Sequence, residues 1–219
     1  MKIKRSIGTL ALAALMGTTV LVTSGLAHGA QETETRDLDE FNRVAIKGAM
    51  DVVIEVGKSQ SVEVSADEDY LDRVETRVDD GTLYISQEGR RWYDIDVDIE
   101  ITVRNLDGIF IDGAADIDAT GIDSDNFDLE INGAGDVTLE GACGTVTIEI
   151  NGAGDVDAED LKCKNVDITI NGAGDVDASA SESVVAELNG VGDITICGDP
   201  DKVRPRIRGL GSFKVSDCD

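Results

Sequence analysis

The chain has 219 residues, of which 45 are Asp or Glu and 19 are Lys or Arg, giving a formal net charge of −26. That excess of acid excludes a protein that grips nucleic acid or anionic lipid through a basic face, since both require clustered cations. A hydrophobic content of 41% suffices for a core, while only 4% aromatics and 24 glycines point to thin, layered β structure.

The chain opens with Lys2, Lys4 and Arg5, followed by an uncharged apolar run over residues 7–22 and the small residues Gly25 and Ala27. This order is that of a secretory signal, predicted over 1–27. The run is shorter than the roughly 20 residues of a membrane span and is broken by Thr18, Thr19 and Thr23. No cysteine lies near the cleavage point, so no lipid anchor is expected. The protein is therefore expected to be exported, to the periplasm or beyond. Residues 28–40, which carry the single histidine, His28, read as a polar tether.

Residues 41–105 form the less regular part. Strands are expected near 44–46, 52–56, 62–65, 74–78, 83–86 and 95–103, with a hairpin turn at Asp79-Asp80-Gly81. A loose copy of the later repeat stands at Gly48. The 65 residues from Gly48 to Gly113 amount to about three repeats, which predicts the same solenoid begun differently.

Residues 106–219 repeat openly. Ile131 begins INGAGDVTL, Ile150 and Ile170 begin INGAGDVDA, and Leu188 begins LNGVGDITI. The first glycines are Gly113, Gly133, Gly152, Gly172, Gly190 and Gly209, spaced by 20, 19, 20, 18 and 19 residues. Before each glycine corner apolar residues alternate with polar ones, as in Val146, Ile148 and Ile150 against Thr147 and Glu149. Such a unit cannot bury its apolar face alone, and stacking buries it against the next. The expected fold is all-β: a right-handed parallel β-helix with about 19–20 residues per coil.

These residues also carry a resemblance. The stretch FNRVAIKGAMDVVIEVG from Phe41, GTLYIS from Gly81 and the serial INGAGDV motifs resemble the head GIN domain family, described as auto-transporter adhesins, over about residues 41–217. The resemblance implies a secreted or envelope-associated bacterial β-helix. An auto-transporter exports itself through a C-terminal barrel of strands about 10 residues long. The chain closes directly after the last repeat, at 207–215, so self-export is not expected.

Two rows of polar residues follow from the repeat. Asn132, Asn151, Asn171 and Asn189 recur at one corner, where stacked amides can donate and accept between coils as a structural ladder; a turn role tolerating positive φ is the other reading. Asp116, Asp136, Asp155, Asp175 and Asp193 form a second row, with Asp51 as a further candidate. Carboxylates one coil apart repel, and either backbone N–H donors or bridging Ca²⁺ could offset this. The known calcium repeat has a nine-residue period, so the backbone reading leads and no cofactor is expected.

Residues 106–201 hold 23 acids and only two bases, Lys162 and Lys164, whereas Lys202, Arg204, Arg206, Arg208 and Lys214 follow. The last coil is thus basic and reads as a cap that neutralises the final carboxylates and blocks end-to-end stacking. The cluster Arg90-Arg91-Trp92-Tyr93 reads first as an apolar plug on the end of the solenoid and second as a site for a sugar ring or acidic glycan.

Catalysis is not expected. The region after the tether has no histidine, and its repeated acids are equivalent, whereas glycoside cleavage uses two carboxylates in distinct environments. The expected role is structural, adhesive or surface-binding, toward a cell-surface glycan or an envelope protein. A carbohydrate-active enzyme on a β-helix scaffold is the alternative.

The cysteines finish the reading. Cys143 and Cys163 are 20 residues apart, and Cys197 and Cys218 are 21 apart. One period puts each pair on adjacent coils, near the Cα separation a disulfide accepts. The other two connectivities span two or more coils.

Overall fold

The computed structural model describes residues 31–87 and 97–218. Its strands are β1 (Gln31–Thr35), β2 (Arg43–Val56), β3 (Ser61–Asp67), β4 (Val74–Asp79), β5 (Thr82–Gln87), β6 (Asp98–Val103), β7 (Gly108–Ile131), β8 (Ala134–Ile150), β9 (Ala153–Ile170), β10 (Val176–Leu188), β11 (Val191–Cys197), β12 (Lys202–Ile207) and β13 (Leu210–Ser216). One four-residue helix, α1 (Glu68–Leu71), which the sequence reading did not anticipate, follows β3. The architecture is a β-solenoid of about five turns.

Successive coils β2, β7, β8, β9 and β10 pair in parallel, and β11, β12 and β13 continue the column. The alternation dictates the packing. Ile46, Ile111, Ile131, Ile150, Ile170 and Leu188 are all buried and stack as one inward column. Full burial of each side chain stabilises the fold by roughly 2 kcal/mol. A second column runs through Val52, Ile117, Val137, Val156, Val176 and Ile194.

Glycine makes the tight corner possible. At Gly172 an added Cβ would stand 1.9 Å from the carbonyl oxygen of Gly152 one coil below. Only hydrogen lets the backbones approach at the spacing of hydrogen-bonded strands.

The N-terminal half differs from expectation in two respects. Gly48 and Gly113 are in-register partners on adjacent strands β2 and β7, so the 65 residues between them are not three further coils. The chain leaves β2, builds β3 to β6 on its far side, and returns over it as β7. There β5 and β6 each pair with β2 in parallel, while β3 pairs with β6 and β4 with β5 antiparallel. Within the expected tether, Gln31–Thr35 is the strand β1, paired antiparallel with β3; an exposed polar sequence can still satisfy its backbone on an open sheet edge. The β4–β5 turn is the expected hairpin: Asp80 and Gly81 both have positive φ, at 48° and 71°. This is the two-residue loop geometry that matches strand twist.

The last coil lies open, although its Arg206 and Arg208 pair with Glu187 of the coil beneath. Ile207 continues the buried Ile–Leu column by register with Leu188, yet is 42% exposed, and Leu210 is 74% exposed. The final coil covers the core beneath it, and among the described residues nothing covers the final coil. The region read as a signal, residues 1–27, lies outside the described residues, as does His28.

Candidate functional site

The Asn row forms a continuous chain of side-chain hydrogen bonds. Nδ2 of Asn151, Asn171 and Asn189 donates to Oδ1 of Asn132, Asn151 and Asn171 at 3.0, 2.9 and 3.0 Å. Asn132 and Asn151 also donate to Glu130 and Glu149 two residues earlier, at 2.6 and 2.9 Å. At the last coil Arg208 stands where the next Asn would, donating toward Asn189 and pairing with Glu187, which Arg206 also approaches.

The Asp row runs along another edge, beside a glycine-floored groove of about 430 Å³ bordered by Asp136, Asp155 and Asp175. Asp51, Asp116, Asp136 and Asp155 are in register. Where a partner is seen, it is the next coil: backbone N–H groups of Asp175, Asp193 and Ser212 donate to Oδ1 of Asp155, Asp175 and Asp193 at 3.0, 2.7 and 2.8 Å. Ser212 Oγ adds a second bond to Asp193 at 2.7 Å. These Ser212 bonds, side chain first, hold the Asp193 carboxyl below its ordinary pKa; desolvation opposes them, and Lys214 adds a lesser lowering.

Among the described residues the only convergent set of three acidic or sulfur ligands is Glu159, Cys197 and Cys218, and both cysteines are in a disulfide. A linear row offers an ion between two coils two carboxylates, against the six to eight oxygens that Ca²⁺ takes.

The disulfides are Cys143–Cys163 and Cys197–Cys218, with Cα separations of 4.5 and 5.2 Å. Arg90, Arg91, Trp92 and Tyr93 lie outside the described residues.

A further site escaped the sequence reading. On the outer face of the sheet that carries the Asn ladder, Ala45 of β2 is flanked in register by Tyr84 of β5 and Phe110 of β7. Both aromatics are half-buried and point outward, because their neighbours Leu83, Ile85, Ile109 and Ile111 point in. Two strand spacings put their backbones about 9.6 Å apart, with a methyl group between. A cavity of about 290 Å³ opens there, bordered also by Lys47, Arg77, Asp112, Glu130 and Asn132. The Arg77 guanidinium lies 4.1 Å from the Tyr84 ring centre and 3.8 Å from Asp79, and Lys47 pairs with Asp112 at 3.5 Å. The burial alternation places each aromatic outward, and only the strand register brings them into one row.

Fold and site together define a repetitive parallel β-solenoid that presents a stiff polar face with a small aromatic cavity at one end. The family described as "Putative auto-transporter adhesin, head GIN domain" matches residues 40–200, and the chain belongs to it. Among solved structures it is similar to a "putative adhesin" from Bacteroides fragilis, at 23% identity and TM-score 0.68, covering 85% of this chain and 97% of that one. A "putative lipid binding protein" and a "putative adhesin", both from Parabacteroides distasonis, follow at 17% and 18% identity, TM-score 0.47 each, covering 85% and 86% of this chain and 96% and 98% of theirs. At 23% identity the likeness to the Bacteroides fragilis protein is one of fold. No curated protein matches the chain.

Proposed function

We propose that this is an exported, non-catalytic protein of the bacterial envelope or exterior that binds a surface component through the outer face of its solenoid. The observation carrying this reading is the pairing of a rigid hydrogen-bonded face with the half-buried Tyr84–Phe110 cavity at its end. Strand spacing fixes that face before any ligand arrives, so little conformational entropy is lost on binding. Two disulfides suit an oxidising compartment, and no helix of the described residues is long and apolar enough to cross a membrane. The acids at the cavity, Asp112 and Glu130, are engaged by Lys47 and Asn132, and neither is set apart as a general acid.

The test is adhesion of the labelled exported protein to intact cells and isolated envelope fractions, run beside a screen for cleavage of neutral and acidic polysaccharides. Saturable binding without cleavage is expected. Turnover of any polysaccharide would overturn the non-catalytic reading, and absence of binding to every surface would overturn the adhesive one.

A further inference from the structure

We infer that the Tyr84–Ala45–Phe110 cavity is a binding site for one neutral pyranose unit of a surface glycan. The inference rests on the surface-binding reading above and names the ligand class. Its first support is size. About 290 Å³ lies at the lower end of small-ligand pockets, enough for a single ring.

The second support is chemistry. A pyranose has an apolar face of C–H groups and a rim of hydroxyls. The half-buried Tyr84 and Phe110 supply apolar aromatic surface on either side of Ala45, whose small side chain leaves the floor open. The lining also holds both acceptors and donors: Asp112 and Glu130 can accept, while Lys47, Arg77 and the Asn132 amide can donate. Adjacent hydroxyls, each both donor and acceptor, match such a mixed set.

The third support is charge, which decides between neutral and acidic sugars. Two cations and two carboxylates line the cavity, so its local balance is even, while the chain as a whole carries −26. A uronate or sialate would meet Asp112 and Glu130 at close range and a repelling field beyond them. A neutral ring meets neither penalty.

The experiment is a glycan array followed by calorimetry on the full exported protein, with neutral and uronic oligosaccharides as probes. Tyr84→Ala and Phe110→Ala remove the aromatic surface, and Ala45→Leu fills the floor while removing nothing. All three positions face outward, and circular dichroism with the melting temperature verifies folding. The expected result is binding of neutral oligosaccharides, weakened about tenfold or more by each substitution. That binding should change less than about twofold between 0.05 and 0.5 M salt, since no net charge is neutralised. Salt-sensitive binding of uronic oligosaccharides alone would overturn the neutral assignment. Neutral binding that all three variants retain, or cell adhesion with no glycan bound, would overturn the cavity while leaving the adhesive reading intact. Failure to bind any surface would remove both.

Discussion

Ser212 donates twice to one oxygen of Asp193, through its backbone N–H at 2.8 Å and its hydroxyl at 2.7 Å. Ser212 occupies the register position at which the coils below carry Asp. The carboxylate row, which begins with Asp98 in register with Asp51 and continues through Asp116, Asp136, Asp155, Asp175 and Asp193, therefore ends on a neutral donor at this coil.

The first prediction is a pH dependence. The folded Asp193 pKa lies below the ordinary 3.8, so its stabilising contribution is present above that value and is lost as pH falls through the lowered folded pKa. Ser212→Ala removes the hydroxyl and should move the Asp193 pKa back toward 3.8 while leaving the backbone bond in place. A carboxyl-carbon NMR titration of both proteins reads this directly; an unchanged Asp193 titration would show that the hydroxyl does not hold the carboxylate.

A second prediction concerns the ladder. Asn171 donates to Asn151 and accepts from Asn189, so Asn171→Ala removes two bonds between coils. The expected loss is about 1–2 kcal/mol in urea unfolding, because the site is exposed and water replaces part of what is removed. Asn171→Asp keeps an acceptor for Asn189 but loses the donor, and it adds a charge to an acidic face. It should be at least as destabilising below about 0.1 M salt and recover partly as salt is raised.

The glycine corner should tolerate nothing larger. In Gly172→Ala the new methyl would meet the Gly152 carbonyl at 1.9 Å, and that carbonyl belongs to backbone rather than to a side chain that can move away. The coils must part or the corner must unwind, at a cost of more than about 3 kcal/mol. A melting temperature equal to that of the unsubstituted protein would contradict the observed coil spacing.

Both disulfides link adjacent coils. Non-reducing peptide mapping should recover Cys143 with Cys163 and Cys197 with Cys218. Removing the first pair by Cys143→Ala with Cys163→Ala should lower stability by about 3 kcal/mol in the chain-entropy model for a loop of 20 residues.

Chelation is the last. With Asp155, Asp175 and Asp193 each bound by an N–H group of the coil above, the melting temperature should be the same in EDTA and in millimolar Ca²⁺. A rise with Ca²⁺ would mean that the outward oxygens coordinate an ion.

The regular half was legible because its signal is local. Period-2 alternation such as Val146-Thr147-Ile148-Glu149-Ile150 fixes which side chains turn inward. The near-constant glycine spacing then aligns one coil on the next, so the Ile column and the placement of the four cysteines on neighbouring coils follow from the sequence alone. Where the repeat lapses, between Gly48 and Gly113, spacing no longer measures height along the axis. The excursion through β3 to β6 was settled by which edges of β2 remained to be paired, a non-local matter. The same limit hid the cavity: Ala45, Tyr84 and Phe110 are far apart in the chain and become neighbours only through parallel pairing of β5, β2 and β7. Likewise, composition revealed that the last coil is basic, but only tertiary structure decided that it lies open, since burial depends on whether another layer covers it.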